Sequence, residues 1–257
     1  MDSGIGLLPA AAAVRRARPD ADLVLSSDPA SMPWGPRSID DIVARALGCA
    51  RAAAALAPDA LIVACNTASV HALPTLRAEL EPAVPVVGTV PAIKPATADG
   101  GSVAVWATPA TTGSPYQRRL IREFGRTART AEVPCHGLAD AVESADEAAV
   151  DAAVAAAAAR TPSGVRAVVL GCTHYELVAE RIEAALGTGP DGSRPVLYGS
   201  ADAVAAQALR RLGAGPAPEA APAGGLTVLL GGEPAELPAN ACAYAEGQLL
   251  AAASVTP

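Results

Sequence analysis

Aromatic side chains and long apolar runs are both scarce in this sequence. Aromatic residues make up 3% of the 257 residues, although apolar residues make up 51%. The core must therefore be built mainly from Ala, Val and Leu, and the excess of alanine favours helices. Asp, Arg, Pro or Gly interrupts the apolar stretches well before the roughly 18–20 residues that a membrane span needs. We expect a soluble protein with no membrane partner.

Basic residues are also few, and they are not clustered. The net charge is −7, which gives no positive surface for nucleic acid or for an anionic membrane. A length of 257 residues allows one large α/β domain or two domains of roughly 100 to 130 residues. The composition therefore disfavours a nucleic-acid partner, and it does not imply a large neutral or cationic partner either.

The sequence also lacks the CxxC spacing and a secretion signal. Five cysteines form an odd set with no CxxC spacing, namely Cys49, Cys65, Cys135, Cys172 and Cys242. No signal-peptide pattern opens the sequence. We interpret the cysteines as free thiols in a reducing cytoplasm.

Two stretches of the sequence resemble each other and carry the most distinctive chemistry. Residues 61–69 (LIVACNTAS) and 168–175 (VVLGCTHY) each read as a buried parallel strand that ends in a cysteine. Hydroxyl or amide side chains follow each cysteine, and helical sequence comes next. Ligands of open α/β sheets collect at the carboxyl ends of the strands, so both thiols are expected at a functional edge.

The whole chain alternates strands with helices in a duplicated layout. We predict strands near 21–27, 60–65, 84–88, 102–107, 131–134, 166–171, 194–198 and 226–230, and helices near 38–57, 69–80, 114–124, 138–159, 176–186, 201–212 and 240–252. Ser3 precedes Cys65 by 62 residues (65 − 3), and Thr108 precedes Cys172 by 64 (172 − 108). The repeat predicts two related α/β halves, residues 1–90 plus 201–257 and residues 91–200.

Signals for cofactor or metal chemistry are weak. The segment that begins Gly4-Ile5-Gly6 resembles a dinucleotide fingerprint, but Pro9 stands where the third glycine belongs. Lys94 is the only lysine and falls in a connector, which disfavours a Schiff base. The histidines show no HExxH spacing. Chemistry without a cofactor or a metal is therefore favoured.

A thiol that removes a proton from carbon must act as a thiolate, and a free thiol with a pKa of about 8.5 needs help at neutral pH. A helix amino terminus after each cysteine can stabilise the anion, and a carboxylate or imidazole can accept its proton. Asp2, Glu143 and His174 are the candidates for this assistance. Cys49, Cys135 and Cys242 lack such a setting and are interpreted as structural.

Six motifs occur in the order found in one enzyme family. They are DSGIG from Asp2, PWG from Pro33, ACNTAS from Ala64, GTVPA from Gly88, ATPAT from Ala107 and GCTHY from Gly171. In this order the chain resembles bacterial glutamate racemase, of the aspartate/glutamate racemase superfamily. The resemblance spans nearly the whole chain, and the two cysteine motifs together are its most specific part.

The resemblance implies two pseudosymmetric three-layer α/β domains with mainly parallel sheets and an active site in the cleft between them. It implies interconversion of L- and D-glutamate without a cofactor, which supplies D-glutamate for peptidoglycan. Cys65 would act on D-glutamate with help from Asp2, and Cys172 on L-glutamate with help from Glu143 and His174. The substrate would be held by Asp2, Ser3, Trp34, Gly35, Asn66, Thr67, Thr108, Thr173 and His174. A homodimer is an open expectation.

Several positions depart from the family pattern. Only Met1 precedes Asp2, where the family has an apolar strand, so the leading strand of the first half is expected to be missing. Trp34 replaces a tyrosine, Glu176 a proline and Gly199 an aspartate. Two alternatives therefore stay open: a relative that acts on aspartate, a malonate or another α-substituted acid, and a binding or regulatory protein without catalysis.

Overall fold

The computed structural model of the protein describes residues 1–125, 127–189 and 192–252. The helices are α1 (Leu8–Ala17), α2 (Ile39–Ala54), α3 (Asn66–His71), α4 (Leu73–Leu80), α5 (Ile93–Ala96), α6 (Pro115–Phe124), α7 (Leu138–Ser144), α8 (Glu147–Arg160), α9 (Ala179–Leu186), α10 (Ala201–Arg211) and α11 (Ala245–Ala252). The strands are β1 (Leu23–Ser27), β2 (Leu61–Val63), β3 (Val86–Gly88), β4 (Gly101–Ala107), β5 (Ala128–Pro134), β6 (Ala167–Leu170), β7 (Val196–Tyr198), β8 (Leu226–Leu230) and β9 (Glu233–Ala235). Short 3₁₀ helices lie at Ile5–Leu7, Pro29–Ser31, Thr173–Val178 and Ala241–Ala243.

The chain divides into two compact units. The first unit consists of Met1–Val90 and Ala201–Pro257, and the second unit of Pro91–Ser200. Both are α/β with mainly parallel sheets, as the sequence predicts. Within the described residues, no helix is long and apolar enough to span a membrane.

The second unit is built on one parallel sheet with the strand order β5, β4, β6, β7. The two middle strands are buried along most of their length, with Val103 and Val169 both at 0% exposure. Strands covered on both faces need continuous apolar sequence, which β4 and β6 supply. Tyr116, Ile121 and Phe124 pack against this core.

The first unit has the strands β1, β8 and β9 in one sheet and β2 with β3 in another. β1 pairs in parallel with β8, and β2 in parallel with β3. The first two residues of the chain lie between β1 and β2. Asp2 N–H donates to the Ser26 carbonyl (3.2 Å), the Met1 amine donates to the Ile62 carbonyl (2.7 Å), and the Ala64 N–H donates to the Met1 carbonyl (2.9 Å).

The two units therefore repeat one strand order. β1, the Met1–Asp2 segment, β2 and β3 of the first unit correspond to β5, β4, β6 and β7 of the second.

Helix caps follow the sequence where a strong capping residue is present. Ser38 caps α2, because its side chain accepts a hydrogen bond from Asp41 N–H (3.3 Å). Ser114 caps α6 in the same way through Gln117 N–H (3.2 Å).

The prediction of a single long helix at 138–159 is wrong. The structure has α7 and α8 instead, separated by Ala145 in the left-handed conformation (φ 53°). Asp146 then caps α8 by accepting from Ala149 N–H (3.0 Å). The break was not predicted because alanine, which is abundant here, strongly favours helix. Asp146 gave no clear signal either, since aspartate occurs inside helices as well as at their caps.

Two further helices begin earlier than predicted. The helix predicted at 69–80 is α3 followed by α4, and it starts directly after Cys65. The helix predicted at 176–186 starts as a 3₁₀ turn at Thr173 before α9. Strand β9 was not predicted, because its three residues are exposed and contain a proline.

Candidate active site

Cys65 lies at the carboxyl end of β2 and immediately before α3. Its backbone is extended (φ −135°, ψ 119°) and the residue is buried. Ser69 fixes this strand end, since its hydroxyl donates to the Val63 carbonyl (3.2 Å) and accepts from Thr89 N–H (2.9 Å). The sequence predictions did not include Ser69, whose only signal was a hydroxyl one helical turn beyond the cysteine.

Asp2 and Ser3 lie on the neighbouring strand segment. The hydrogen bonds of Met1 set it level with Val63 on β2, so Asp2 and Ser3 continue toward the level of Cys65. Asp2 is only 1% exposed, and its carboxylate accepts a hydrogen bond from Ser3 N–H (2.7 Å). Adjacent strands lie about 4.8 Å apart, so these side chains leave their strands at one edge of the first unit.

Trp34 is buried inside the first unit, with 1% of its surface exposed. Its indole N–H donates to the Ser31 hydroxyl (2.9 Å), and Ser31 in turn donates to the Asp28 carboxylate. Arg45 holds that carboxylate from α2 (3.1 Å). The indole N–H is thus engaged within the unit, while Gly35 beside it is partly exposed. Contact of Trp34 with a substrate stays a prediction.

Asn66 and Thr67 form the first residues of α3, directly after Cys65. Asn66 is buried and Thr67 is half-buried. The backbone N–H groups of a helix amino terminus favour negative charge, whether on a thiolate or on a bound carboxylate.

Cys172 occupies the equivalent place in the second unit. It follows β6 with an extended backbone (φ −138°, ψ 135°) and precedes the 3₁₀ helix that starts at Thr173. Gly171 before it donates to the Trp106 carbonyl (2.7 Å), and a side chain at Gly171 would collide with that same oxygen. The glycine is therefore required for β6 to lie close to β4 at the cysteine.

A hydrogen-bonded relay extends from the Cys172 thiol. The Cys172 Sγ atom lies 3.8 Å from His174 Nδ1, and His174 Nε2 lies 2.9 Å from Glu143 Oε2. The His174 side chain is 4% exposed and that of Glu143 is 16% exposed. An ionised carboxylate can only accept a hydrogen bond, so the contact with Glu143 favours the tautomer with the proton on Nε2, in which Nδ1 is an acceptor that faces the thiol.

The break between α7 and α8 bears on this relay. Glu143 lies at the end of α7, two residues before the left-handed Ala145. The predicted continuous helix would have carried the chain straight on past Glu143. The structure instead ends α7 beside the 3₁₀ helix that holds His174.

Thr108 lies at the carboxyl end of β4, half-buried and near the edge that carries Cys172. Its hydroxyl donates to Thr111 Oγ1 (3.2 Å), and its carbonyl accepts from the N–H groups of Thr111 and Thr112. Thr173, directly after Cys172, is 6% exposed. Both residues directly follow the carboxyl ends of neighbouring strands, Thr108 after β4 and Thr173 after Cys172 at the end of β6.

The remaining thiols have different surroundings. Burial raises the pKa of the Cys49 thiol to about 11 and that of Cys135 to about 12. Burial likewise raises the pKa of Tyr175, whose hydroxyl donates to the Cys135 carbonyl (3.5 Å). Cys49 and Cys135 therefore remain protonated at neutral pH, as expected of buried cysteines with a packing role.

Among the described residues, no group of three or more His, Cys, Asp or Glu side chains is arranged to hold a metal ion. The single lysine, Lys94, places its ammonium 5.9 Å from the centre of the Phe124 ring.

Two positions that depart from the family pattern face each other. The Glu176 carboxylate accepts from the N–H (2.7 Å) and the hydroxyl (2.9 Å) of Ser200. A side chain at Gly199 would overlap with that carboxylate. A glutamate at 176 thus requires a glycine at 199, and it supplies a carboxylate where the family has an aspartate.

Comparison with known proteins agrees with this geometry. The model of the Asp/Glu/Hydantoin racemase family matches residues 8–215, which is most of the chain. The chain belongs to this family.

Relatives within the family support a closer assignment. A glutamate racemase from a Roseiflexus species is 39% identical over 194 residues, covering 72% of this chain and 70% of that protein. A glutamate racemase from Erwinia tasmaniensis is 36% identical over 214 residues, covering 78% and 72%. These relatives confirm the resemblance that the motifs indicated, and the family makes the chain an isomerase.

Solved structures of racemases resemble this chain in fold. Escherichia coli glutamate racemase matches with a TM-score of 0.76 and 28% identity, covering 97% of this chain and 90% of that one. Allantoin racemase from Klebsiella pneumoniae shares the fold, with a TM-score of 0.51 and 19% identity.

Proposed function

We propose that this protein interconverts L-glutamate and D-glutamate by a cofactor-independent transfer of the α-proton, and that it supplies D-glutamate for peptidoglycan. The relay from Cys172 through His174 to Glu143 is the observation that carries the proposal. The relatives support it, since they bear the name glutamate racemase and the Escherichia coli structure was solved with L-glutamate and an activator, UDP-MurNAc-ala.

The second unit supplies a thiol with a built-in acceptor for its proton. His174 Nδ1 takes the proton of Cys172, and the Glu143 carboxylate stabilises the imidazolium that results. The thiolate then removes the α-proton of L-glutamate, and the electron pair of the C–H bond remains on the substrate. Cys65, as a thiol, gives a proton to the opposite face of the same carbon.

The reverse reaction uses Cys65 as the base and the Cys172 thiol as the acid. Asp2 assists Cys65, because it is a buried carboxylate on the strand next to the one that ends at Cys65. The position of Cys65 before α3 adds the favourable field of backbone N–H groups.

Substrate binding is proposed for the polar groups at the same strand ends. Hydroxyl, amide and backbone N–H groups can bind the two carboxylates and the ammonium group of glutamate. They come from Ser3, Gly35, Asn66, Thr67, Thr108, Thr173 and His174, with Trp34 shaping the loop that carries Gly35.

The direct test is incubation of the pure protein with L-glutamate in deuterated water. We expect D-glutamate to form, with deuterium at Cα of the product. If neither turnover nor exchange occurs with either enantiomer, a binding or regulatory function without catalysis would replace this proposal.

A substrate panel tests the choice of amino acid. L-aspartate and a hydantoin are the informative competitors, because the family includes enzymes that act on such compounds. We expect glutamate to be racemised with the highest kcat/KM. A preference for aspartate would reassign the substrate while keeping the racemase chemistry.

A further inference from the structure

The 3₁₀ helix of the second unit carries part of the relay. It spans Thr173–Val178, directly after Cys172, and includes His174. Hydrogen bonds in 3₁₀ helices have poor geometry, and runs longer than three or four residues are uncommon. This helix has six residues, so it depends on contacts outside itself to keep its position.

Three consecutive side chains attach this helix in three directions. A 3₁₀ helix has three residues per turn, so successive side chains leave it about 120° apart. His174 Nε2 lies 2.9 Å from Glu143 Oε2 at the end of α7. The Tyr175 hydroxyl donates to the Cys135 carbonyl just after β5 (3.5 Å). Glu176 points in the third direction, towards the end of β7.

The Glu176 carboxylate is held by the chain that follows β7. Its Oε1 atom accepts from the N–H (2.7 Å) and the hydroxyl (2.9 Å) of Ser200, which is 4% exposed. The register of β6 and β7 pairs Val169 with Tyr198. Two residues further on, Ser200 is therefore level with Gly171. Glu176 thus ties the 3₁₀ helix to the strand end that neighbours the thiol.

The absence of a side chain at Gly199 makes this contact possible. A Cβ atom there would lie 2.6 Å from Glu176 Cδ and 3.2 Å from Cγ. The Glu176 side chain therefore lies directly over the glycine on its way to Ser200. Any larger residue at 199 would displace the carboxylate.

Among these three contacts, that of Glu176 is best suited to fix the helix. Hydrogen bonds to an ionised carboxylate are shorter and stronger than bonds between neutral groups. The Tyr175 bond is neutral and long at 3.5 Å. His174 changes its charge in the proposed mechanism, so its contact with Glu143 changes during the reaction. The carboxylate of Glu176 takes no part in that proton transfer.

We infer that Glu176 is a positioning residue, whose bonds to Ser200 hold the 3₁₀ helix so that His174 Nδ1 faces the Cys172 thiol at 3.8 Å. Its effect on catalysis rests on the proposed function, whereas its effect on the thiol needs no substrate. Without this attachment the imidazole moves relative to the sulfur. A misplacement of about 1 Å can cost a factor of about 100 in rate.

The test measures the reactivity of each thiol towards iodoacetamide at neutral pH, with peptide mass spectrometry to assign the sites. We expect Glu176→Ala to slow alkylation of Cys172 by at least about 10-fold, because the thiolate is the nucleophile and His174 accepts its proton. Alkylation of Cys65 should not change, which makes it the internal reference. Glu176→Gln should react within about threefold of the wild type, since its amide oxygen can accept the same bonds.

Steady-state kinetics with glutamate gives a second readout. Glu176→Ala should lower kcat by about 10- to 100-fold and change KM by less than about threefold, because the substrate groups stay in place while the relay moves. Glu180→Ala is the matched control, since Glu180 is exposed on α9. It should change neither kcat nor the alkylation of Cys172.

The double variant Glu176→Ala/Gly199→Asp separates positioning from stability. An aspartate at 199 can accept from the N–H of the serine that follows it, as Asp2 accepts from Ser3 N–H (2.7 Å). It satisfies Ser200 but has no covalent link to the 3₁₀ helix. We expect this variant to regain the Tm that Glu176→Ala loses and to keep the slow alkylation of the thiol.

Two results would overturn the inference. If Glu176→Ala lowers the Tm while Cys172 is alkylated at the wild-type rate, Glu176 only stabilises the fold. If the double variant recovers the alkylation rate together with the Tm, a carboxylate at Ser200 is sufficient and the tie to the helix is irrelevant. A wild-type protein that does not turn over glutamate would remove the proposed function, whereas the alkylation comparison would still decide the role of Glu176.

Discussion

The contact between His174 and Glu143 is the residue-level feature with the clearest functional consequence. The Glu143 carboxylate lies 2.9 Å from His174 Nε2, and the other ring nitrogen, Nδ1, faces the Cys172 sulfur at 3.8 Å. Removal of its charge would weaken the imidazolium that forms when the thiol ionises.

Glu143→Gln is therefore expected to lower kcat for L-glutamate by about 100-fold, with a smaller change in KM. Steady-state kinetics in both directions measures this. Glu147→Gln is the matched control, since Glu147 is 83% exposed and pairs with Arg181 at the surface. Equal activity of the two variants would contradict the relay.

The Cys49 thiol makes stability depend on alkaline pH. Its pKa is 9.0 without burial and about 11 in the folded protein, because burial disfavours the thiolate. Because the pKa is raised on folding, the contribution of Cys49 to the free energy of unfolding is fully present below pH 9. This contribution is lost as the pH rises toward 11.

Between pH 8 and pH 10.5, Cys49 should cost the wild type about 2 kcal/mol of unfolding free energy that Cys49→Ala does not lose. Denaturant titrations of both proteins at the two pH values give the comparison. The result that contradicts this assignment is an identical loss in both proteins.

At the scale of elements, the turn between α7 and α8 follows directly after the helical turn that carries Glu143. Ala145 adopts a left-handed conformation (φ 53°), which L-residues other than glycine avoid at a cost of about 1 kcal/mol. The turn is thus held by its surroundings, including the Asp146 cap of α8.

Ala145→Gly should raise the unfolding free energy by about 0.5–1 kcal/mol and leave activity unchanged. Ala152→Gly, at an exposed position inside α8, should instead lower it by about 1 kcal/mol. Thermal or denaturant unfolding distinguishes them. A loss of stability in both variants would show that Ala145 is an ordinary helical position.

For the whole molecule, the strands and the strong caps were predictable because their signals are local. Buried apolar runs such as 166–171 and the capping Ser38 each determine structure within a few residues. The α/β class follows from their alternation. The two cysteine motifs are also local signals, and they were sufficient to indicate the family.

The missed features are ones that no pattern in the sequence marks. The turn at Ala145 lies within an alanine-rich segment whose propensity favours a continuous helix. The chain of hydrogen bonds from Trp34 through Ser31 to Asp28 requires three backbone positions that no pattern specifies. The mutual fit of Glu176 and Gly199 likewise becomes visible only when their strand and helix are brought together.

In the mechanism that we propose, each thiol serves one enantiomer, and single cysteine variants in deuterated water separate the two roles. Cys65→Ser and Cys172→Ser should each lose racemisation by at least about 1000-fold, as expected when a catalytic acid or base is removed, whereas Cys242→Ser should keep it. Cys172→Ser should still exchange the α-proton of D-glutamate, and Cys65→Ser that of L-glutamate. Racemisation at the wild-type rate by either variant would contradict the two-thiol mechanism.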